Sequence, residues 1–278
     1  HQIAIDKLDS LIDPHVSGIM GVNLWGGACD VLALENYAKS KNLKLYFDSA
    51  HAFGCVVDEK KIANFGSIEV FSFHATKVLS ATEGGCICTN DDVLASRLRN
   101  IRSSYGAGKI VPVVKTSNGR MSEAQAAIAL MSLDDFPDNQ KNNENLFRTY
   151  MERLKHIPGI KLVKPAGVTF SNYQYVVCEI QKTTFGLSRD SLVKVLNAEN
   201  VMARRYFYPG AHRTTGYNDS LSLYEYSLPV TDYLCDACIQ LPIGAMVDTN
   251  AVASICKIIE NSHRNADYLQ SFLIENKK

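Results

Sequence analysis

Two polar residues that could do chemistry follow apolar segments of the sequence. Asp48 ends the apolar run 45–47, and Lys77 lies a few residues beyond the apolar run that ends at Phe71. A carboxylate at the end of a buried segment requires a partner, because burying an unpaired charge is costly. Asp48 could therefore cap a helix, form a structural ion pair, or hold the ring nitrogen of a cofactor in its protonated form.

The segment around Lys77 suits a nucleophilic amine. Desolvation at the end of an apolar strand lowers the pKa of a lysine toward the neutral form that attacks a carbonyl carbon. A lone lysine is more often a solvated charge, but Ser72 and Thr76 supply hydroxyl groups nearby. The turn 82–85 contains two glycines, which allow the backbone to approach a ligand closely.

A third polar group, at residues 118–123, precedes a predicted helix. Ser122 can cap that helix, and Asn118 and Arg120 lie just before its start. Because helix N-termini attract anions, this combination favours an anion site.

The elements that must position these residues follow an α/β pattern in the first half of the chain. Short apolar runs that alternate with amphipathic stretches are typical of parallel strands joined by helical crossovers. We predict strands at 18–25, 43–47, 68–73 and 85–89, and helices at 30–41 and 91–102. Asp48 and Lys77 then lie at or just past strand ends, where α/β sheets bind ligands.

The second half of the chain reads as a smaller α+β domain. A loop at 103–120 is followed by helices at 121–135 and 139–156, strands at 173–180 and 201–206, and helices at 188–199 and 249–266. We place the domain boundary in the long helix, so that residues 1–138 form the end of a large domain and residues 139–278 form a small one.

Composition excludes several classes of partner. The 278 residues carry 29 basic and 29 acidic side chains, so no net field attracts nucleic acid or an anionic membrane. No apolar run is long enough to span a bilayer, and the first residues lack the pattern of a signal peptide. Cys235 and Cys238 form a single CxxC without a second ligand pair. We expect a cytoplasmic protein with reduced cysteines and no metal site.

Five motifs together resemble one family. The segments FDSAHAFG, SFHATKVLSATEGG, NGRMSEAQAA, RRYFYPGAH and QLPIG occur in the order and at the spacings found in the DegT/DnrJ/EryC1 sugar aminotransferases. The segments WGGACD, SFHATK, EGG and NGRMSE most resemble the corresponding segments in the branch of the family that aminates dTDP-4-keto-6-deoxyglucose at C4. The resemblance implies an aspartate-aminotransferase-like fold, known as fold type I, with pyridoxal 5'-phosphate as cofactor.

The resemblance also assigns roles to individual residues. Lys77 aligns with the lysine that binds the cofactor covalently and moves protons, and Asp48 aligns with the aspartate paired to the pyridine nitrogen. His51 occupies the position that stacks on the pyridine ring, where the family often has glutamine. Ser72 matches the serine that hydrogen-bonds the cofactor phosphate. Asn118 matches an asparagine that reaches this phosphate from the partner subunit, which implies a homodimer.

Two further expectations come from the resemblance. Tyr206, Tyr208 and His212 lie where the family's small domain approaches the substrate, although each could equally serve in packing. The family's amino-terminal segment, with a turn that grips the cofactor phosphate, has no counterpart here, so residue 1 corresponds to a point inside the large domain.

The implied activity is transfer of an amino group from glutamate to a nucleotide-linked 4-keto-6-deoxy sugar. One alternative is amination at C3, and another is a non-catalytic remnant kept as an interaction protein. A dehydratase of the same family has histidine in place of the lysine, and Lys77 argues against it. A dinucleotide-binding fold is disfavoured because no GxGxxG follows a strand.

Overall fold

The computed structural model describes residues 1–103, 105–214 and 227–275. The chain divides into two compact units. The first comprises His1–Gln140 and Pro165–Gln174, and the second comprises Lys141–Lys164 and Tyr175–Lys278. The return of residues 165–174 to the first unit was not predicted. The division into domains at 1–138 and 139–278 stays a prediction, because compact packing does not by itself test independent folding.

A mixed sheet of four strands forms the first unit. Its strands are β1 (Gly18–Val22), β2 (Lys44–Asp48), β5 (Ile68–Ser72) and β6 (Gly85–Cys88), in the order β1-β2-β5-β6. The first three are parallel, as predicted, whereas β6 pairs with β5 in the antiparallel direction. The connection between β2 and β5 is not a helix but contains a hairpin of β3 (Val56–Val57) and β4 (Lys60–Lys61). The connection from β5 to β6, residues 73–84, contains no helix.

Helix α1 (Val31–Ser40) makes the crossover from β1 to β2. It begins at Asp30, whose Oδ1 accepts a hydrogen bond from the backbone N–H of Ala33 at 3.0 Å. Its buried residues are Val31, Leu34 and Ala38, which lie on one face at helical spacing. They join a core that includes the alternate residues Leu45 and Phe47 of β2.

The opposite face of this sheet is exposed. Met20, Tyr46, Val70 and Ile87, one from each strand, are between 37% and 62% exposed. Because side chains alternate along a strand, Asp48 and Ser72 lie on the same face as these residues.

Three helices follow the first sheet, and all three were predicted. They are α2 (Asp92–Arg102), α3 (Glu123–Asp134) and α4 (Phe136–Leu154). A capping box starts α3, in which Ser122 Oγ accepts the N–H of Gln125 and the Gln125 side chain accepts the N–H of Ser122.

An antiparallel sheet of four strands forms the centre of the second unit. Its strands are β7 (Ile160–Leu162), β8 (Val176–Ile180), β9 (Arg204–Arg205) and β10 (Cys238–Leu241), in the order β7-β8-β10-β9. The helices of this unit are α5 (Lys182–Phe185), α6 (Arg189–Ala198), α7 (Pro229–Ala237), α8 (Thr249–Arg264) and α9 (Ala266–Glu275). The predicted strand at 201–206 is reduced to the two residues of β9, and β7, β10, α5, α7 and α9 were not predicted.

Within the described ranges, no helix combines the length and the apolar character that crossing a membrane requires. The cytoplasmic location stays a prediction.

Candidate active site

Asp48, His51 and Lys77 come together at the carboxyl end of β2. Asp48 is the last residue of β2, and its Oδ1 accepts a hydrogen bond from the N–H of Ala50 at 3.0 Å. This bond starts the turn that carries His51. Lys77 lies in a turn after β5, where its N–H donates to the carbonyl of His74 at 2.9 Å.

Burial sets the charge preference of Lys77. Desolvation lowers the pKa of its ammonium group, and the nearby carboxylate of Asp48 opposes part of this effect. The lysine therefore releases its proton more easily than a solvated lysine does. A half-buried amine of this kind has the character of a nucleophile.

His51 is buried close to this lysine and is uncharged near neutral pH. Desolvation, together with the positive charge of Lys77, lowers the pKa of its imidazole to about 3. The ring packs against Trp25, with the two centroids 5.3 Å apart and the planes at 36°. Trp25 was not among the predicted site residues, although it is the only tryptophan of the chain and directly precedes two glycines.

Ser72 and Asn118, the two residues predicted to bind phosphate, differ in their surroundings. Ser72 ends β5, and its Oγ accepts the N–H of His74 at 3.3 Å. Asn118 lies on an exposed loop that is held against the last turn of α2, where Ser117 N–H donates to Ile101 O and Gly119 N–H donates to Arg102 O. The structure therefore brings Ser72 to the same sheet edge as Asp48, and it leaves Asn118 on the surface.

The segment Ser171–Gln174 belongs to the first unit and forms hydrogen bonds with the backbone next to His51 and Lys77. Asn172 is fully buried, and its Nδ2 donates to the carbonyls of His51 at 3.1 Å and Phe53 at 2.9 Å. Gln174 Oε1 accepts the N–H of Val78, the neighbour of Lys77, at 3.3 Å. Sequence patterns did not reveal this support, because each bond joins residues about a hundred positions apart.

Gly26 allows this segment to approach. Its φ is +77°, and a Cβ at this position would lie 2.7 Å from Asn172 Oδ1 and 2.8 Å from Ser171 Oγ. Only glycine fits both the backbone conformation and the space. The glycine pair after Trp25 was therefore a usable sequence signal for a close approach of two chain segments.

The predicted substrate residues belong to the second unit and are held mainly by charged neighbours. The guanidinium of Arg205 lies 4.1 Å from the ring centroid of Tyr208. Tyr206 packs against Tyr175, with centroids 5.8 Å apart. His212 Nε2 lies 2.8 Å from Asp232 Oδ1. Asp232 was not predicted, because it is 20 residues from His212 in the sequence.

The CxxC pair has the surroundings of buried thiols. Cys235 and Cys238 are both buried, and desolvation raises the pKa of each thiol, that of Cys238 to about 12. The part of the chain that the structure describes contains no group of three or more side chains arranged to hold a metal ion.

Comparison with known proteins gives the context of this site. The chain is 36% identical over 203 residues to the dTDP-4-amino-4,6-dideoxy-D-glucose transaminase of Shigella dysenteriae, a match that covers 73% of this chain and 55% of that protein. It is 27% identical over 267 residues to the GDP-perosamine synthase of Vibrio cholerae, covering 94% of this chain and 70% of that protein. The chain thus spans between about half and 70% of the length of these relatives.

Comparison with solved structures agrees with the sequence comparison. A crystal structure of DesI in the presence of its TDP-sugar product matches with a TM-score of 0.88 and 34% identity, over 97% of this chain and 68% of that one. The predicted aspartate-aminotransferase-like α/β fold with a mainly parallel first sheet is confirmed. The family model of the DegT/DnrJ/EryC1/StrS aminotransferases matches residues 1–260. The chain belongs to this aminotransferase family.

Proposed function

We propose that the chain carries the active-site lysine of a pyridoxal 5'-phosphate-dependent aminotransferase. The proposed reaction moves an amino group from glutamate to C4 of a nucleotide-linked 4-keto-6-deoxy sugar, such as dTDP-4-keto-6-deoxyglucose. The observation that carries this proposal is the half-buried Lys77, whose pKa is lowered by desolvation beside Asp48 and His51. The name of the Shigella relative, a 4-amino-sugar transaminase, supports the choice of C4.

The chemistry of the side chains fits the cofactor. Asp48 projects from the end of β2 on the exposed face of the sheet and can pair with a protonated ring nitrogen. His51 is neutral and packs in an aromatic environment, which suits stacking on the ring without adding a positive charge. Ser72 offers a hydroxyl to the phosphate. Asn118 would reach this phosphate from the partner subunit.

Each residue then has one task in the reaction. Bound pyridoxal phosphate supplies an electron sink for the carbon that carries the amino group. Lys77 Nζ would hold the cofactor and would act as general base and acid toward the proton at that carbon. Asp48 would pair with the protonated ring nitrogen. Tyr206, Tyr208 and His212 are proposed to contact the sugar nucleotide.

A homodimer is part of the proposal. Helix α3 begins five residues after Asn118, and none of its twelve residues is buried. Among them Leu130 and Met131 are about two-thirds exposed. A helix with this much exposed apolar surface is typical of a subunit contact, and such a contact would carry Asn118 toward the partner's cofactor.

A non-catalytic interaction protein is the second candidate, and one observation favours it. The exposed sheet face carries the apolar side chains of Met20, Tyr46, Val70 and Ile87, and exposed apolar patches often bind another polypeptide. Such a protein would have no need of a desolvated lysine. The two candidates therefore differ in whether Lys77 reacts with pyridoxal phosphate.

The deciding experiment uses absorbance and mass analysis. We expect added pyridoxal phosphate to give a visible band in the purified protein, and borohydride reduction to fix the cofactor on the peptide that contains Lys77. Lys77→Ala and Lys77→Arg should lose the band and lower product formation by at least about 10³-fold. Lys60→Ala, which removes an exposed lysine, should change neither.

The outcomes separate the candidates. A protein that stays colourless, with Lys77 unmodified, would favour the interaction protein. Turnover at the wild-type rate in Lys77→Ala would refute the proposed reaction. If the band forms, incubation with glutamate and dTDP-4-keto-6-deoxyglucose, followed by NMR of the product, tells amination at C4 from amination at C3.

A further inference from the structure

A buried carboxylate lies directly behind the end of β2. Glu69, in β5, is 1% exposed and accepts three hydrogen bonds. Its Oε1 accepts the backbone N–H groups of Ala63 and Phe65, both at 2.8 Å, and its Oε2 accepts the hydroxyl of Ser49 at 2.7 Å. All of these groups belong to the first unit. The proposed reaction gives Glu69 no task.

The hydrogen bonds continue beyond Ser49 in one direction. Asn23 Nδ2 donates to Ser49 Oγ at 2.9 Å, and Asn23 Oδ1 accepts the N–H of Cys29 at 3.0 Å. Asn23 and Ser49 are fully buried. Each member of this chain donates toward Glu69, so the chain must end on a group that only accepts, which an ionised carboxylate does.

Backbone bonds join the same network to Asp48. The N–H of Asn23 donates to the carbonyl of Asp48, and the N–H of Ser49 donates to the carbonyl of Val70, both at 2.9 Å. The peptide between Asp48 and Ser49 is therefore held from the strands on either side of β2. Successive side chains of an extended segment point to opposite faces. Because the side chain of Ser49 is held on the buried face, the side chain of Asp48 must point to the exposed face of the sheet.

We propose that Glu69 is a positioning residue, which through Ser49 holds the end of β2 so that the carboxylate of Asp48 faces the ring nitrogen of the cofactor. This inference rests on the proposed function. Glu69 does not touch the ligand and acts only through the hydroxyl of Ser49.

The need for a carboxylate can be tested with an isosteric amide. In Glu69→Gln, the side-chain NH2 would meet Ser49 Oγ, which already accepts from Asn23, and the hydroxyl proton of Ser49 would lose its acceptor. Burial raises the pKa of Glu69, and the hydrogen bonds from Ser49, Phe65 and Ala63 oppose this shift. These bonds therefore favour the ionised form, in which the carboxylate only accepts.

The experiment compares Glu69→Gln, Ser49→Ala and the double variant, each loaded with pyridoxal phosphate. Glu35→Gln is the matched control, because Glu35 accepts the N–H of Gly66 in the turn that also binds Glu69, at 2.8 Å, but is not bonded to Ser49. The measurements are the dissociation constant of pyridoxal phosphate, the pH midpoint of its visible absorbance, and the single-turnover rate with glutamate.

We expect Glu69→Gln and Ser49→Ala each to lower the single-turnover rate about tenfold, since small misplacements of a reacting group have effects of this size. The absorbance midpoint should move in both variants, because the ring nitrogen loses part of its partner. The double variant should be no worse than either single variant, because the two residues form one chain. Glu35→Gln should match the wild type in all three measurements.

Several results would overturn the inference. Additive losses in the double variant would mean that Glu69 does not act through Ser49. An unchanged absorbance midpoint in a folded Glu69→Gln protein would mean that Asp48 is not displaced. If Glu69→Gln does not fold, the test rests on Ser49→Ala. Wild-type values of all three measurements in Ser49→Ala would then contradict the inference. If the wild-type protein forms no visible band with pyridoxal phosphate, or if the band persists in Lys77→Ala, the proposed function is refuted and the inference fails with it.

Discussion

The strand-end site, formed by Asp48, Ser49, His51 and Lys77, differs from the aromatic segment 206–212 in how its side chains are held. Around the strand-end site the supporting groups are buried, and each is held by direct hydrogen bonds, as Asn172 is. In the aromatic segment Tyr206 packs on the buried ring of Tyr175, whereas Tyr208 and His212 contact charged side chains that remain accessible to water, those of Arg205 and Asp232.

This difference has an energetic consequence. Removing one partner from a buried pair leaves a polar group without water, at a cost of about 1–3 kcal/mol per group. Removing one partner from an exposed ion pair costs little, because water replaces it. The strand-end site should therefore tolerate little change in sequence or geometry. The aromatic segment can change its side chains at small cost to folding, which is compatible with the substrate contact that we propose for it.

The largest effect is expected from removing the support behind the strand-end site. Asn172→Ala would leave the carbonyl of Phe53 without this donor and the N–H of Gln174 without this acceptor, and the carbonyl of His51 would keep only the N–H of Gly26. We expect the free energy of unfolding to fall by about 3 kcal/mol or more. Urea unfolding followed by circular dichroism measures this change.

Asn64→Ala is the control for this experiment. Asn64 also donates to a backbone carbonyl, that of Lys61 at 2.9 Å, but it is exposed. Its replacement should cost less than about 0.5 kcal/mol. Equal losses in the two variants would show that burial is not what distinguishes the strand-end site.

The second prediction concerns acid stability and His51. Folding lowers the pKa of this imidazole from 6.5 to about 3. Below pH 6.5 the unfolded chain therefore binds a proton that the folded chain does not, so stability is full above pH 6.5 and is lost as the pH falls. Between pH 6.5 and 4.5 the loss from this one group is about 2–3 kcal/mol.

His51→Gln removes that loss. The cofactor-free variant should keep its stability between pH 6.5 and 4.5 better than the wild type does, as measured by urea unfolding at each pH. Replacement of the exposed His74 by glutamine is the control for the loss of an imidazole outside the core. If His51→Gln and the wild type lose stability in parallel, then His51 is protonated in the folded protein.

The sequence predicted the strands and the residues at their ends, because both depend on local patterns. The alternation of short apolar runs with amphipathic stretches predicted β2 and β5. The abrupt change from apolar to polar residues at the ends of these runs indicated Asp48 and Lys77 as candidate site residues. Glu69 was also visible as a lone carboxylate inside an apolar run. Its role could not be predicted, because its partners Ser49 and Ala63 come together only when β2 and β5 pair.

Long-range contacts were beyond the sequence. Asn172 reaches Phe53 across 119 positions, and no periodicity records such a bond. The direction of β6 depends on the path of the chain after β5 and not on the composition of the strand. Just before the aromatic segment, the strand predicted at 201–206 is reduced to the two residues of β9, an edge strand with a single neighbour, β10.

The smallest effect is expected in the aromatic segment and completes the comparison. Asp232 contacts His212 and Arg213, and these contacts hold the pKa of its carboxyl below its usual value. Asp232→Asn keeps the shape and removes the charge. We expect no measurable change in the unfolding midpoint at neutral pH, because exposed ion pairs contribute little to stability. The KM for the sugar nucleotide should still rise, since His212 loses the partner that orients it. A variant that unfolds as readily as Asn172→Ala would mean that the aromatic segment is held as firmly as the strand-end site.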